Sequence, residues 1–401
     1  MSTPRFNGAF KGKEGVAVTQ TCATLCEELK ARFESGKLKA DDISILDIAH
    51  ATLGAEGVLS MMKDSDNRGS LERLKEEVDP VNLSAFNQIT ELLVLQGVVE
   101  GYRKPEFIGD SLVSHESSKE DNTREPGIDP ISDDAMVVNE GEEFPDVKFG
   151  QDWIDIPRSV KRGMKIGLTR EMVHFDRTGK VLEAARAVGY RVGANKEKRI
   201  LSTVLGITNN FKRKGVARNT YVATGSGDPR VNMLAGNPLI DWTDVDAVNQ
   251  LFVGMVDDGT PTPEPIAVVA DTILVSPSRL LTARQILNAT ELREVTNAGN
   301  RTTIAANPLS GMPMTLVSSV WFDWVLVNLG GIAAANARDY WYMGEFKRAF
   351  MYRTIFPLQV RAAPANNPAE FERDVIAQFR ADERGTPYIR APWMVAKSFN
   401  A

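Results

Sequence analysis

The sequence predicts a mixed α+β fold, and three patterns support this class. Apolar residues recur with helical spacing through residues 20–100 and again from Phe175 to Gly206. Apolar and polar residues alternate between residues 147 and 168, as in strands. Beyond residue 206, helical and strand-like segments follow one another without regular βαβ alternation and without an internal repeat. The fold is therefore expected to be α+β.

Size and charge narrow the class of protein further. The chain has 401 residues, which is enough for two or three domains. A hydrophobic content of 43% and a charged content of 25% are ordinary for a globular protein. The net charge of −6 argues against binding nucleic acid over a large surface, but it does not exclude a local basic patch. No apolar run reaches the ~18 residues of a membrane-spanning helix, so no membrane contact is expected.

The start of the chain lacks the apolar segment of a secretory signal. Cys22 and Cys26 are the two cysteines, and their spacing puts both on one helix face, where we expect them to pack. A structural zinc site needs four ligands, and the histidines are scattered. Disulfides are not expected to stabilise the fold, which fits a reducing compartment during folding.

The N-terminal part is predicted to be a small helical bundle. The segments "TLCEELKARFESGKL", "DDISILDIAHATLG" and "VNLSAFNQITELLVLQGVVEGYR" each have helical periodicity, and the last follows Pro80. Residues 115–134 are polar and rich in turn-forming residues, so they are interpreted as an extended arm or linker.

A long two-stranded hairpin is predicted next. Val147/Phe149, Ile154/Ile156 and Met164/Ile166/Leu168 alternate with polar residues, and turns are offered by Gly150 and by Lys161–Gly163. An isolated hairpin is marginally stable in water. This one is therefore expected either to pack on its own chain or to lie on another chain.

One helix of about 45 Å is predicted from Phe175 to Gly206. Its apolar stripe contains Val181, Ala185, Val188, Val192, Ile200, Leu201 and Val204. A solvated face is expected for Lys180, Glu183, Arg186, Arg191, Lys196, Glu197, Lys198 and Arg199. Gly189 and Gly193 lie four apart, and each costs about 1 kcal/mol of helix propensity relative to alanine. Either another element approaches the backbone there, or a core helix simply tolerates both glycines.

The remaining residues predict the body of the protein. A helix begins at Thr243, and a strand, a turn and a helix follow, with Pro277 at the start of that helix. Residues 312–324 and 345–364 are interpreted as strands. The last segment is expected to hold a short helix or strand, a turn at Gly385 and a final strand. A basic loop contributes Lys212, Arg213, Lys214 and Arg218, which are either solvated or placed to contact phosphates or a neighbour's carboxylates.

Signatures of catalysis are missing from the sequence. It contains no phosphate-binding loop, no G-x-S-x-G and no H-E-x-x-H. His50, His115 and His174 could serve a nucleophile as base, but none lies in a recognisable setting. We therefore expect no catalytic, cofactor or metal residues, and a protein that is not an enzyme.

The order of these elements resembles the major capsid proteins of tailed bacteriophages with the HK97 fold. "EGEEFPDVKFGQDWIDIPRSVKRGMKIGLTREMVHFDRTG" resembles the extended loop of that family, and "VLEAARAVGYRVGANKEKRILSTVLG" resembles its spine helix. "ILVSPSRLLTARQILNATELREV" and "NPLSGMPMTLVSS" resemble parts of the axial domain, and "EFERDVIAQFRADERGTPYIRAPWMVAKSF" resembles the closing segment. The resemblance covers about residues 85–401. Its subtype is expected to be that of Mu-like or planctomycete prophage major head subunits.

The resemblance implies a domain plan: an N-terminal helical region (1–104), an N-arm (105–135), an extended loop (136–168), a peripheral domain with the spine helix (169–235 and 341–401) and an axial domain (236–340). In this family the extended loop lies across a neighbouring subunit. Its expected contact residues are Lys148, Phe149, Trp153, Lys161, Arg162 and Lys165.

The function implied by the resemblance is self-assembly into an icosahedral or prolate shell around double-stranded phage DNA. The expected partners are copies of the chain in hexamers and pentamers, a portal protein, a scaffold, a cement or decoration protein, and weakly bound DNA. Assembly in the bacterial host cytoplasm and a final location in the virion follow. The N-terminal region is expected to be either a scaffold-like segment that a protease removes or an added domain. The alternatives are an encapsulin-type nanocompartment shell and an uncharacterised α+β enzyme.

Some members of the family join a hairpin lysine to a neighbour's asparagine, with a nearby carboxylate as base. The matching position here is Asp374, with Asp382 and Glu383 near the position of the base. An ionised carboxylate is a poor electrophile, so Lys148, Lys161 and Lys165 are expected to form at most ion pairs, worth about 0–1 kcal/mol when exposed. No isopeptide bond is expected.

Overall fold

A computed structural model describes residues 80–121, 123–128, 138, 140, 141, 143, 151–169, 171, 175, 178–226, 230–257, 264–296, 301–363 and 375–400. The helices predicted before residue 80 lie outside these ranges, as do Lys148, Phe149, Gly150 and Asp374. Contacts divide the chain into two compact units. The first unit comprises Met1–Lys104, Lys161–Ala194 and Phe356–Arg384, and the second comprises Pro105–Val160, Asn195–Ile355 and Gly385–Ala401.

The described helices are α1 (Pro80–Tyr102), α2 (Gly109–Leu112), α3 (Thr178–Val204), α4 (Trp242–Val253), α5 (Leu280–Asn288), α6 (Trp321–Asn328), α7 (Ala334–Ala337) and α8 (Phe346–Ala349). Short 3-10 turns cover Pro277–Arg279, Pro308–Gly311 and Pro392–Met394. Among the helices described, none combines the length and the apolar character that crossing a membrane would need.

The described strands before α4 are β1 (Ser114–Ser117), β2 (Arg124–Ile128), β3 (Gln151–Asp155), β4 (Val160–Thr169), β5 (Lys212–Arg213), β6 (Val216–Ala217) and β7 (Met233–Ala235). Those after it are β8 (Val256–Asp257), β9 (Glu264–Pro265), β10 (Thr272–Val275), β11 (Glu291–Thr296), β12 (Arg301–Ala306), β13 (Thr315–Ser318), β14 (Trp341–Gly344), β15 (Phe350–Ala362), β16 (Val375–Ile389) and β17 (Val395–Phe399). The predicted α+β class is confirmed.

The strands form three larger sheets and two ribbons. The sheet orders are β13-β10-β14-β17-β7, β2-β3-β5-β6 and β1-β15-β16-β4, and the ribbons are β11-β12 and β8-β9. The five-stranded sheet joins strands from both the expected axial range and the expected peripheral range. The domain boundaries therefore remain a prediction.

The five-stranded sheet is the centre of the second unit because apolar cores cover both of its faces. Tyr342 of β14 points into one core with Phe322 and Leu201, whereas its neighbour Trp341 points into the other with Val248. Successive side chains of a strand alternate between faces. A short strand buried on both sides is therefore continuously apolar, as "WYMG" nearly is.

The long predicted helix is confirmed as α3, which has 27 residues. It ends before Gly206, whose φ of +73° lies in the left-handed region that glycine adopts without strain. The helix after Pro80 is confirmed as α1, and the helix near Thr243 as α4, where Asp241 and Asp244 form a capping box. The strand, turn and helix around Pro277 are confirmed as well.

Four predicted details are wrong. β3 and β4 belong to different sheets instead of pairing as a hairpin, and Lys161–Gly163 lies within β4 rather than in a turn. Gly385 lies inside β16, because this strand runs straight through the expected turn. The predicted strand over 312–324 stops at Ser318, and α6 begins at Trp321.

The arm or linker expected at residues 115–134 contains two extended segments, and both are paired in sheets. Residues 114–117 form β1, which pairs in parallel with β15, and residues 124–128 form β2, which pairs with β3. The polar composition indicated extended chain correctly but gave no sign of these pairings, since β1 is made of the polar residues "SHES".

Candidate functional site

Within the first unit, α1 and the first part of α3 touch backbone to backbone. A Cβ added to Gly189 would lie 2.0 Å from the carbonyl oxygen of Val98, and one added to Gly101 would lie 2.1 Å from the carbonyl oxygen of Arg186. A Cβ added to Gly97 would lie 3.1 Å from the Cβ of Ala185. Small residues let helix backbones approach this closely, so no larger side chain fits at Gly101 or Gly189 without separating the helices. Gly193 is buried in the same helix.

Polar contacts reinforce this helix pair. The Nε of Arg186 lies 2.9 Å from Glu100 Oε2, and both side chains are about one-third exposed. The hydroxyl of Tyr102 donates to Glu383 Oε2 at 2.7 Å. Thr90, Leu93, Val94 and Val98 of α1 are fully buried. The last helix of the N-terminal region is therefore an integral part of the first unit.

Two of the predicted hairpin contact residues, Trp153 and Lys161, have identified partners in their own chain. Lys161 Nζ lies 3.0 Å from Asp382 Oδ2, and Arg380 Nε lies 2.9 Å from Oδ1 of the same carboxylate. Burial pushes the pKa of Asp382 upward, but the hydrogen bond and charge of Lys161, and then Arg380, lower it overall. The Trp153 ring lies 5.1 Å from the guanidinium carbon of Arg124.

At Trp153 and Lys161 the segment therefore packs on its own chain, which is one of the two outcomes expected for it. β3 pairs with β2 and β5, and a Cβ on Gly163 would lie 2.6 Å from the Ala381 carbonyl oxygen. Arg162 and Lys165 are exposed on β4.

Within the second unit, the later part of α3 carries a buried carboxylate. Glu197 is 2% exposed, and it accepts hydrogen bonds from the backbone amides of Gly109 (2.6 Å) and Ile108 (3.2 Å) and from the Ser319 hydroxyl (3.0 Å). Burial raises the pKa of Glu197 and outweighs these donors, which favour the charged form. The carboxylate ties α2 and the end of β13 to the long helix.

Neighbouring cations of α3 are also engaged. Lys196 Nζ lies 2.7 Å from Asp110 Oδ1 and 4.8 Å from the Tyr352 ring centre. Arg199 donates to the Gly385 carbonyl oxygen at 2.9 Å. The prediction of a solvated face is right for Lys180, Glu183 and Arg191, which are exposed, and wrong for Glu197.

A sequence signal for Glu197 existed. It lies four residues after Gly193 and four before Leu201, which places it on the buried side of the helix. The charge of Glu197 alone predicted a place on the solvated face instead.

The basic loop is divided between inward and outward side chains. Arg213 is nearly buried, with its Nε 2.9 Å from Asp152 Oδ2 and its guanidinium carbon 5.6 Å from the Trp393 ring centre. Lys212 and Lys214 are exposed, and Arg218 is half-buried. Lys214 adopts a positive φ of 53° at the tip of the β5–β6 turn. The described part of the chain contains no group of three or more His, Cys, Asp or Glu side chains arranged to hold a metal ion.

Comparison with known proteins identifies the family. A family model described as a phage capsid protein matches residues 155–384, which is more than half of the chain. The chain therefore belongs to the phage capsid protein family, whose role is structural rather than enzymatic. No protein of curated function matches it significantly.

Solved capsid structures are similar at low identity. The capsid of a native GTA particle is 13% identical with a TM-score of 0.44, over 75% of this chain and 91% of that one. The Cyanophage Pam1 capsid is 13% identical with a TM-score of 0.44, over 75% and 93%. The mature capsid of bacteriophage PhiM1 is 11% identical with a TM-score of 0.40, over 73% and 86%.

Proposed function

We propose that this capsid protein has the HK97-like arrangement and assembles as hexamers and pentamers into a closed shell around double-stranded DNA. The family match over residues 155–384 carries the proposal, because it covers α3 together with β4, β15 and the first ten residues of β16. Closed symmetry repeats each contact many times, so modest interfaces suffice for a stable shell. Portal, scaffold and cement proteins are the further partners, and the host cytoplasm is the place of assembly.

Support for intersubunit contact by the extended loop comes from β4. Residues 160–165 are exposed, although the same strand is buried at Ile166 and Leu168. Arg162 and Lys165 are therefore the residues we propose to meet a neighbouring subunit. Lys161 contributes to this contact through the rest of its half-exposed side chain, since Asp382 of its own chain holds the ammonium.

Contact with packaged DNA is proposed for the basic loop. Lys212 and Lys214 are exposed residues, whereas Arg213 is directed at Asp152. The overall negative charge of −6 fits a weak, non-specific interaction that lets DNA slide.

Sedimentation and nuclease treatment of the full-length expressed chain test the shell. We expect fast-sedimenting particles, and with the packaging proteins of the phage we expect DNA that nuclease cannot reach. A folded chain that stays a small oligomer under all assembly conditions would contradict the proposal. Particles that enclose a cellular protein instead of DNA would indicate a nanocompartment.

The absence of a covalent lock is tested on the same particles. We expect boiling in detergent to release a single band near the chain mass of 44.1 kDa, because the residue at the asparagine position is Asp374, whose ionised carboxylate is a poor electrophile, and Lys161 is ion-paired with Asp382 at the position of the base. A ladder of covalent multimers would refute this.

A further inference from the structure

The outer face of α6 exposes apolar side chains next to a cation. Val320 immediately before the helix is 72% exposed, and Trp324, one turn later, is 39% exposed. The opposite face of the helix, with Phe322 and Val325, is fully buried. Side chains four apart share one helix face. The exposed pair together with Trp321 and Lys198 is called the Trp324 surface below.

Lys198 is held on this surface by aromatic rings. Its Nζ lies 4.2 Å from the ring centre of Trp321 and 4.2 Å from that of Trp324. The two indoles meet edge to face, with centres 5.8 Å apart at 88°. Within the described ranges, no carboxylate forms an ion pair with Lys198. An ammonium has three donors, and ring faces attract its charge without accepting all of them strongly.

We propose that the Trp324 surface binds an acidic, partly apolar surface of a second copy of this chain. This inference rests on the proposed function, because a shell brings copies into contact at high local concentration. A fixed ammonium between indoles, beside an exposed valine, is complementary to a carboxylate flanked by apolar side chains. The chain has 53 acidic side chains against 47 lysines and arginines, so each copy carries an excess of carboxylates that suits a contact with Lys198 of another copy.

The contact is between two different surfaces rather than between two copies of the same surface. A two-fold axis through the Trp324 surface would bring Lys198 against its own counterpart, and like charges repel. A contact between unlike patches repeats head to tail and closes into a ring when the rotation allows. Such a ring is the geometry that a capsomer needs.

The test uses the full-length chain under the conditions in which the wild type forms particles. Lys198→Glu is expected to lower the assembled fraction about tenfold, as removal of an interface anchor does. Lys198→Met, which keeps the stacked stem but removes the charge, is expected to lower it less. Circular dichroism should show both variants folded, with melting temperatures lowered only by the loss of the Lys198 contacts with the two indoles, since neither change enters the apolar core.

A second pair of variants separates docking from folding. Val320→Asn removes an exposed valine of the Trp324 surface, and Val253→Asn removes an equally exposed one (69%) at the end of α4. We expect Val320→Asn to impair assembly and Val253→Asn to leave it near the wild-type level.

If the proposed shell function is wrong, the wild type itself forms no particles. If only the Trp324 surface is wrong, the wild type forms particles and so do the variants. Normal assembly of Lys198→Glu and Val320→Asn would overturn the inference. So would normal shells from Lys198→Glu with less nuclease-protected DNA, because that result would assign the surface to nucleic acid.

Discussion

The two parts of α3 are stabilised by opposite means. In the first unit, residues 178–194 pack on α1 with no side chain between the two backbones at Gly189, where an added Cβ would lie 2.0 Å from the carbonyl oxygen of Val98. In the second unit, residues 195–204 are fixed by a long side chain, because Glu197 reaches two backbone amides and a hydroxyl. The contact at Gly189 depends on the small size of glycine. The contact at Glu197 depends on hydrogen bonds to a carboxylate, and it is therefore sensitive to pH.

This difference teaches what each region tolerates. Where a Cβ would overlap a backbone atom, no rotamer of the new side chain relieves the overlap. A substitution at such a glycine must therefore move a helix. A buried hydrogen-bonded group tolerates a substitute of the same shape better than a shorter one, because the cost comes from donors left without acceptors.

The largest effect is expected for Gly189→Leu. An added Cβ would overlap the Val98 oxygen at 2.0 Å, so we expect a loss of about 3 kcal/mol, at the upper end of overpacking costs. Gly179→Leu is the matched control in the same helix, since nothing lies within 4 Å of its Cβ. It should stabilise the subunit by roughly 0.5–1 kcal/mol through helix propensity. Equal melting temperatures for the two variants would break the comparison.

Glu197→Ala should cost somewhat less, about 1–3 kcal/mol, because the amides of Ile108 and Gly109 lose their acceptor in a buried site. Glu197→Gln keeps one carbonyl acceptor and should cost less than alanine. Urea unfolding of the three proteins gives this order. Alanine and glutamine of equal stability would show that the hydrogen bonds do not hold this part of the helix.

The same carboxylate predicts a pH dependence. The pKa of Glu197 is raised in the folded state, so its stabilising contribution is complete below its ordinary value of 4.5 and is lost as pH rises through the folded pKa. The stability difference between wild type and Glu197→Gln should therefore shift against the wild type as pH rises above 4.5. Unfolding measured across this range checks the sign, and a shift in the other direction would contradict it.

The smallest effect is expected at Asp382 in the first unit. Its pKa is lowered in the folded state, so its stabilising contribution is present above its ordinary pKa of 3.8 and is lost as pH falls through the folded pKa.

Because Lys161 is half exposed, Lys161→Met should lower the free energy of unfolding by at most about 1 kcal/mol at neutral pH. Melting curves at low and high salt measure it, and a larger, salt-independent loss would be inconsistent with a screened ion pair.

Helical periodicity was sufficient to predict α1, α3 and α4, because each buries an apolar stripe of its own sequence. Strand pairing was not predictable in the same way. β3 and β4 alternate as hairpin strands do, yet their partners β2 and β16 are distant in sequence, and alternation carries no information about the partner. A turn was predicted at Gly385 because glycine is common in turns. In the structure Gly385 lies within the long strand β16, packed against the Tyr352 ring.

Candidate contact residues divide in the same manner. The low helix propensity of Gly189 and Gly193 left two interpretations open, a close approach or two tolerated glycines, and the structure shows the close approach at Gly189. The partners of Glu197, Lys161 and Arg213 come from residues 61 to 221 positions away, and no local pattern announces such contacts. Charged residues were therefore interpreted as solvated where tertiary packing had buried or paired them.

Electron microscopy of particles assembled from the full-length chain tests the account most directly. The account predicts closed shells in which every subunit keeps α1 against α3 at Gly101 and Gly189, with β4 and the Trp324 surface covered by neighbouring copies. Small oligomers in place of shells, or shells in which α1 is detached from α3, would contradict it.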